Sequence, residues 1–295
     1  MSTNFSCKSF GKCILVGEHS VLRGKPALVV PIRSRSLELD YQAGSQPLEL
    51  YLSGDHGQEL QLLVWGVLEK ACEMQKFSRS ELKGKLTIGS TIPVGAGMGA
   101  SAALCVALTR WLGFLGYVQE TEYYEFARNL ENLFHGESSG LDIAVALSGS
   151  GLRFVRNGER HTLEMKWKPR WYISYTGKRG VTVDAVNKVK DFIAKDPTRG
   201  HRIDDEMHEA VDLAQKALLW DSPEAQGQLI DAINKAGQCF EQWGLNEGAP
   251  ARHIQWLRDN GAIAVKPTGS GGGGYVLSVW VNEPPAEVLK ELIPC

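Results

Sequence analysis

A glycine-rich segment near the middle of the chain carries residue types suited to holding a phosphate. Three glycines alternate at Gly95, Gly97 and Gly99, between a predicted strand over 86–92 and an alanine-rich predicted helix. Such a loop exposes backbone N–H groups, and the start of a helix adds partial positive charge, so the combination favours a bound phosphate. No Gly-Lys-Ser/Thr closes the loop, which excludes a P-loop, and Ala100 stands where a dinucleotide-binding fingerprint has its third glycine. A flexible turn of small, closely packed residues is the alternative interpretation.

Three further segments carry polar groups that are hard to explain by packing alone. The first covers 11–19 and reads Gly-Lys-Cys-Ile-Leu-Val-Gly-Glu-His, the second covers 131–142, and the third covers 266–274 and ends in four consecutive glycines. Such groups suit phosphoryl transfer, because this reaction depends on positioning and charge neutralisation more than on covalent catalysis by the protein.

Taken together, the four segments resemble the motifs of the GHMP kinase superfamily, and most closely those of its mevalonate kinase branch. The first family motif resembles 11–28, the phosphate loop 93–103, the catalytic-aspartate segment 135–142, and the C-terminal glycine motif 268–274. The matches follow the order of the family and span nearly the whole chain. Four ordered motifs are far more specific than any one of them.

The resemblance implies an α+β, two-domain GHMP kinase-like fold. An N-terminal ribosomal-protein-S5-domain-2-like α/β domain over 1–170 would hold the phosphate loop and the catalytic aspartate. A C-terminal ferredoxin-like α+β domain over 171–295 would hold the glycine-rich loop.

The same resemblance implies an ATP-dependent kinase that uses Mg²⁺ and binds the nucleotide on the phosphate loop. The loop residues that would hold ATP are Pro93, Gly95, Ala96, Gly97, Met98, Gly99, Ala100 and Ser101. The hydroxyl of Ser101 can reach Mg²⁺, and by resemblance Glu131 is the carboxylate ligand, since Mg²⁺ prefers hard oxygen. N-capping by Ser101 and an ordinary exposed helical acid at Glu131 are the structural alternatives. Ala100 departs from the family, which often has serine there.

For the transfer itself, the resemblance implies Asp142 as the general base that takes the proton of the substrate hydroxyl. Lys12 would lie beside it, favouring the ionised carboxylate and stabilising charge on the attacking oxygen. The structural alternative for Asp142 is a charge placed favourably near a helix N-terminus.

The residues implied at the acceptor substrate are Glu18, His19, Gly271, Gly272 and, by a weaker match, Thr182. A structural histidine and a flexible glycine hairpin are the alternatives here. Galactokinase-like members continue Gly-Glu-His with an acidic residue that holds sugar hydroxyls, whereas Ser20-Val21-Leu22 follows in this chain. The resemblance to mevalonate kinases implies mevalonate as the acceptor, converted to 5-phosphomevalonate in isoprenoid biosynthesis.

Two other functions stay open at this point. A phosphomevalonate kinase, or another GHMP small-molecule kinase, would need extra cations for a substrate phosphate, and Arg33, Arg35, Lys178 or Arg179 could supply them. A non-catalytic nucleotide or metabolite sensor belongs to another class. The presence of Lys12, Ser101, Glu131 and Asp142 argues against a sensor. A protein that had lost its activity would be expected to have replaced at least one of these residues.

Composition excludes several classes of partner. A net charge of -2 gives no reason to expect nucleic acid or an acidic membrane surface, and no apolar run reaches the roughly 18 residues of a membrane span. The six cysteines form no Cys-x-x-Cys pair, which favours free thiols in a reducing cytoplasm. The partners expected are ATP and a small-molecule substrate, and a homodimer is left open.

Hydrophobic spacing predicts the elements that must position these residues. Helical spacing is found over 60–74, 101–114 and 223–243. Alternation over 36–41 and 48–52 resembles a hairpin, and a final helix is predicted over 286–293. The second half then suits an antiparallel sheet covered by helices.

Overall fold

The computed structural model describes residues 4–56, 58–135 and 138–295. Contacts divide these residues into two compact units. Unit 1 takes in the described chain up to Lys12, then Arg35–Val94 and Met98–Gly149; unit 2 takes in Cys13–Ser34, Gly95–Gly97 and Ser150–Cys295. The chain therefore contributes several separate stretches to each unit, and the phosphate loop contributes to both. Domains with the bounds 1–170 and 171–295 stay a prediction.

Strands and helices are mixed throughout the described residues. The strands are β1 (Asn4–Val16), β2 (Pro26–Pro47), β3 (Glu49–Ser53), β4 (Lys83–Ser90), β5 (Leu152–Val155), β6 (Arg160–Thr162), β7 (Arg170–Tyr175), β8 (Ala264–Thr268), β9 (Tyr275–Trp280) and β10 (Ile293–Pro294). The α-helices are α1 (Gln61–Gln75), α2 (Ala100–Phe114), α3 (Tyr123–His135), α4 (Leu141–Ser148), α5 (Thr182–Lys195), α6 (Pro197–Leu218), α7 (Pro223–Gln242), α8 (Ala249–Asp259) and α9 (Ala286–Leu289). The three helices predicted from spacing are confirmed to within one residue at each end.

In unit 1, β4 lies between two strands. It pairs in parallel with β3, where Leu50 faces Leu86, and antiparallel with the second part of β2, where Leu39 faces Ile88. The hairpin predicted over 36–41 and 48–52 is therefore wrong. Helix α1 connects β3 to β4 as a crossover, which is the connection that parallel strands need. Alternation marks a strand but does not say which strand it pairs with.

Helix α2 forms the centre of unit 1. Every residue from 102 to 109 is buried, and α2 packs against α3 and α4. Three alanines in this run keep the helix narrow, so neighbouring helices can approach closely. Packing against α3 and α4 therefore fixes the position of the start of α2, which follows the phosphate loop.

In unit 2, an antiparallel sheet has the order β10-β7-β9-β8. Helices α7 and α8 pack against β8, and α6 packs along α7. Ser222 caps α7 by accepting a hydrogen bond from the Ala225 N–H at 3.2 Å. Strand β8, which leads into the glycine loop, is buried at all five positions. The sheet and helices thus hold the base of that loop.

The end of the chain differs from the prediction. A helix is found only over Ala286–Leu289, and β10 follows, with Ile293 opposite Ile173 of β7. The helix predicted to continue to 293 is wrong, because the last residues gain sheet hydrogen bonds instead.

Two further predictions concern burial and membranes. All six cysteines are free thiols, and Cys105 and Cys239 are buried in their helices. None of the helices that the structure describes combines the length and the apolar character needed to cross a bilayer.

Candidate active site

An ion pair in unit 1 joins two of the residues singled out for catalysis. Lys12 lies in β1 with only 6% of its side chain exposed, and its Nζ is 3.3 Å from Oδ2 of Asp142. Asp142 is the second residue of α4, where the partial positive charge of the helix N-terminus also favours a carboxylate. Since Asp142 remains 27% exposed, its carboxylate combines a fixed position with access from solvent.

The end of the phosphate loop packs directly onto this pair. Gly99 precedes α2 in the left-handed region with φ 81°, and a Cβ there would lie 3.0 Å from Cγ of Lys12. The Lys12 N–H donates to the carbonyl of Met98 at 3.0 Å. The N–H groups in the first turn of α2 therefore lie close to Lys12. Because such groups have no acceptor within the helix, they suit an anion.

Glu131 supplies a second carboxylate to the same unit. It lies on α3 and is buried, and its Oε2 accepts a hydrogen bond from the hydroxyl of Ser138. The Ser138 Oγ in turn accepts from the N–H of Gly140 at 3.0 Å, just before α4. Burial raises the pKa of Glu131 to about 8, and the negative charge of Asp142 adds to this, while Ser138 and Lys12 act in the opposite direction. Glu131 and Asp142 thus interact through their charges.

These oxygens are the type that Mg²⁺ prefers. Among the residues that the structure describes, no group of three or more His, Cys, Asp or Glu side chains is arranged to hold a metal. Mg²⁺ needs fewer protein ligands than that, because one or two carboxylates suffice when substrate phosphates and waters complete its shell. The exposed-acid alternative for Glu131 is wrong, since its side chain is buried.

In unit 2, Glu18 is paired with a lysine that motif reasoning did not assign to the site. Nζ of Lys266 is 2.5 Å from Oε1 of Glu18, and both side chains are buried. The same ammonium lies 5.4 Å from the ring centroid of Phe240. A buried carboxylate is thereby matched by one cation, which an aromatic face also stabilises.

His19 follows in a conformation that few side chains adopt. Its φ is 59°, and its Nε2–H donates to the carbonyl of Ser270 at 2.8 Å. Its ring centroid lies 5.8 Å from that of Phe240 and 5.2 Å from that of Trp243. Burial lowers the pKa of His19 to about 4. At neutral pH the ring is therefore uncharged, with its proton on Nε2 and a lone pair on Nδ1.

The glycine loop and its neighbours converge in unit 2. Gly271 has φ 76°, and a Cβ there would lie 3.0 Å from the Phe240 ring, while the Gly272 N–H donates to the Leu245 carbonyl at 2.8 Å. Thr182, the first residue of α5, accepts a hydrogen bond at 3.5 Å from the hydroxyl of Ser270. These contacts bring the predicted glycines and Thr182 together.

The first half of the phosphate loop joins this group. The Arg179 Nε–H donates to the carbonyl of Gly95 at 3.0 Å. A Cβ on Gly274 would lie 3.1 Å from the carbonyl oxygen of Ala96. The segment 95–97 is therefore held by residues of unit 2.

Comparisons with known proteins find relatives of this chain. Residues 63–150 match the model of the GHMP kinases N terminal domain. A mevalonate kinase of Pyrococcus horikoshii is 29% identical over 91% of this chain and 86% of its own length. One of Archaeoglobus fulgidus is 29% identical, covering 93% of this chain and 92% of its own. The chain is therefore similar to the GHMP kinases over 63–150 and to mevalonate kinases over most of its length.

The fold agrees with that similarity. The crystal structure of L. major mevalonate kinase in complex with R-mevalonate superposes with a TM-score of 0.79, covering 96% of this chain and 90% of that one at 23% identity. The α+β, two-domain GHMP kinase-like fold expected from the motifs is confirmed.

The predicted site residues fall into two groups. Unit 1 brings together those around the ion pair and the start of α2: Lys12, Met98, Gly99, Ala100, Ser101, Glu131 and Asp142. Unit 2 brings together those around the glycine loop: Glu18, His19, Gly95, Ala96, Gly97, Thr182, Gly271 and Gly272. Pro93 lies in unit 1, three residues after β4.

Two buried partners were missed by motif reasoning. Ser138 could have been found, because it lies within the catalytic-aspartate segment that was already singled out. Lys266 also had a signal, since a lysine in the apolar run Ala-Ile-Ala-Val-Lys-Pro-Thr is unusual for a buried strand.

Proposed function

We propose that this chain is an ATP-dependent mevalonate kinase, which transfers the γ-phosphoryl group of ATP to a hydroxyl of mevalonate and yields 5-phosphomevalonate. The observation that carries the proposal is the 3.3 Å pair of Lys12 and Asp142 beside the start of α2, in a chain similar to mevalonate kinases along nearly its full length. Phosphate-binding N–H groups and a carboxylate for a hydroxyl proton are the two elements that the reaction requires.

On the donor side, the loop from Gly95 to Ser101 would hold the phosphates of ATP through backbone N–H groups and the N-terminus of α2. Ser101 and Glu131 would hold Mg²⁺. The residues fit this ion, because Glu131 is a buried carboxylate that retains a proton at neutral pH, and a divalent cation would replace that proton favourably. Bound Mg²⁺ would neutralise the charge of the phosphates.

On the acceptor side, Asp142 would accept the proton of the substrate hydroxyl as its oxygen bonds to the γ-phosphorus. The bond from that phosphorus to the bridging oxygen of ADP breaks, so the products are ADP and the phosphate ester. Lys12 would stabilise the negative charge that develops on the attacking oxygen. Its ammonium is close enough to Asp142 to serve both groups.

Glu18, His19, Thr182, Gly271 and Gly272 would hold the rest of mevalonate. Because burial keeps His19 uncharged, it would take part through a hydrogen bond rather than as a cation. The glycines leave space close to the backbone for a small polyol acid.

Phosphomevalonate kinase is the second candidate. It is kept because Arg179, one of the four cations that a phosphorylated acceptor could use, lies against the carbonyl of Gly95 next to the phosphate loop. A sensor without activity is the third. A cytoplasmic location and a homodimer stay predictions.

An ATP-dependent ADP-release assay over mevalonate, phosphomevalonate, galactose and homoserine separates these candidates. Turnover with mevalonate is expected, and turnover with phosphomevalonate alone would move the assignment to the second candidate. Absence of turnover with all four, with ATP still bound, would favour the sensor.

The variant Asp142→Asn should lose roughly 10²- to 10⁴-fold in kcat and still bind ATP, because general-base catalysis contributes on that order. Asp184→Asn, which changes an exposed acid in the first turn of α5, is the matched control and should keep wild-type kcat. Survival of turnover in Asp142→Asn would show that another group accepts the proton.

A further inference from the structure

Lys266 is a charged residue in an apolar strand. The other four residues of β8 are Ala, Val, Pro and Thr, and all five positions are buried. The Lys266 side chain has no exposed surface, and its ammonium is 2.5 Å from the carboxylate of Glu18. Placing this pair in the interior costs desolvation free energy at both ends.

Stability alone does not account for such a pair. Replacing a buried ion pair by apolar side chains of similar size is often neutral or stabilising. A buried pair is therefore better explained by a neighbouring group that it holds in position. The contacts around Glu18 identify the segment that is held.

Three contacts join the segment that ends at His19 to the segment that enters the glycine loop. Thr268 Oγ1 accepts from the Ile14 N–H at 3.1 Å and donates to the Ile14 carbonyl at 3.0 Å. Lys266 binds Glu18, and the Ser270 carbonyl accepts from His19. The partners in the second segment lie at alternate positions, 266, 268 and 270, and they bind Glu18, Ile14 and His19, respectively. Lys266 provides the only charged contact among these three.

The strained backbone of His19 needs such support. A non-glycine residue with φ 59° is uncommon and persists when its surroundings determine it. The turn after it is closed by short-range backbone bonds, such as Val21 N–H to the Gly17 carbonyl at 3.2 Å, and is held further along by Arg156, which donates to the Leu22 carbonyl at 3.1 Å, and by the ion pair of Arg23 with Asp204. On the other side of His19, the ion pair of Glu18 with Lys266 restrains the backbone from which His19 continues.

We infer that Lys266 is a positioning residue for the acceptor substrate: by holding Glu18 it sets the positions of Glu18 and His19 relative to the glycine loop. This inference rests on the proposed function, in which those residues hold mevalonate. It assigns Lys266 no contact with the reacting atoms, so its effect should pass through Glu18.

A double-mutant cycle tests that route. Lys266→Met is expected to raise the KM for mevalonate about tenfold or more while the KM for ATP changes less than twofold. Glu18→Gln should raise the same KM, and Lys266→Met should add little in the Glu18→Gln background, because its route is already lost. Additive effects of the two changes, or an unchanged mevalonate KM in Lys266→Met, would overturn the inference.

A control variant separates positioning from loss of stability. Val211→Ala removes two methyl groups from a fully buried site on α6 and should lower the free energy of unfolding without changing the mevalonate KM. If Val211→Ala raised that KM as much as Lys266→Met does, the effect would be one of stability and the inference would fail.

Hydrogen exchange followed by mass spectrometry gives a readout that needs no acceptor. Lys266→Met should speed exchange selectively in the peptide covering 14–24, and Val211→Ala should not. Should wild-type protein turn over no mevalonate, the proposed function fails, and this exchange pattern still decides the role of Lys266. Uniform exchange changes, or none in 14–24, would contradict it.

Discussion

In unit 1 the negative charge of Asp142 adds to the effect of burial on Glu131, which lies on α3. Together burial and this charge raise the pKa of Glu131 to about 8. The ordinary pKa of such a carboxyl is 4.5. In the absence of a cation Glu131 therefore keeps its proton at neutral pH. A buried carboxyl of this kind suits contact with a metal, whereas Asp142, which is 27% exposed, suits contact with a substrate hydroxyl.

The first prediction concerns stability against pH without Mg²⁺. Because the folded protein raises the pKa of Glu131, the native state binds more protons than the unfolded state between about pH 4.5 and 8. The free energy of unfolding that Glu131 contributes is fully present below pH 4.5 and is lost as pH rises through about 8. Urea unfolding should therefore show Glu131→Gln gaining stability relative to wild type between pH 5 and 8.5. A constant difference between the two proteins over that range would contradict the raised pKa.

The second prediction concerns proton release when the metal and nucleotide bind. At pH 7 Glu131 holds a proton, and a cation bound there would displace it. Calorimetric titration of Mg²⁺ with a non-hydrolysable ATP analogue, in two buffers of different ionisation enthalpy, should show roughly one more proton released by wild type than by Glu131→Gln. Glu125→Gln, an exposed acid on the same helix, is the matched control and should release as many protons as wild type. Equal release by all three proteins would place the metal away from Glu131.

The third prediction concerns the contact between the phosphate loop and Lys12. Gly99→Ala would strain a left-handed residue and press a methyl group to 3.0 Å from Cγ of Lys12, which must then shift at the ion pair with Asp142. Since a displacement near 1 Å at a catalytic group costs about 10²-fold, kcat should fall by roughly 10- to 100-fold.

Gly116→Ala is the control for that change. Its φ is 88° and a Cβ there meets nothing within 4 Å, so it carries the same backbone strain without the contact. Both variants should lose stability by about 1 kcal/mol, but only Gly99→Ala should lose kcat. Equal kcat in the two variants would mean that the contact with Lys12 is unimportant.

The sequence allowed the local parts of this site to be predicted, since each motif is a short stretch whose backbone and side chains act together. It also predicted the main helices, because helical spacing is a local property. It did not predict that β3 pairs with β4, because alternation marks a strand without naming its neighbour. For the same reason the partner of Glu18 was missed: Lys266 lies 248 positions away along the chain. Contacts of that kind depend on the assembled fold.

The last prediction concerns the protonation of His19. Burial between the rings of Phe240 and Trp243 lowers its pKa from 6.5 to about 4, so the native state binds fewer protons than the unfolded state between those values. The stability that His19 contributes is present above pH 6.5 and is lost as pH falls through about 4. His19→Asn keeps a residue type that tolerates positive φ and removes the titrating group. Urea unfolding at pH 7 and pH 4.5 should show a smaller loss in His19→Asn than in wild type, and nitrogen NMR should find the wild-type ring uncharged with its proton on Nε2 at pH 6. A ring that protonates near pH 6.5 would show that His19 is exposed to water, and the hydrogen-bonding role proposed for it with mevalonate would have to be replaced by a cationic one.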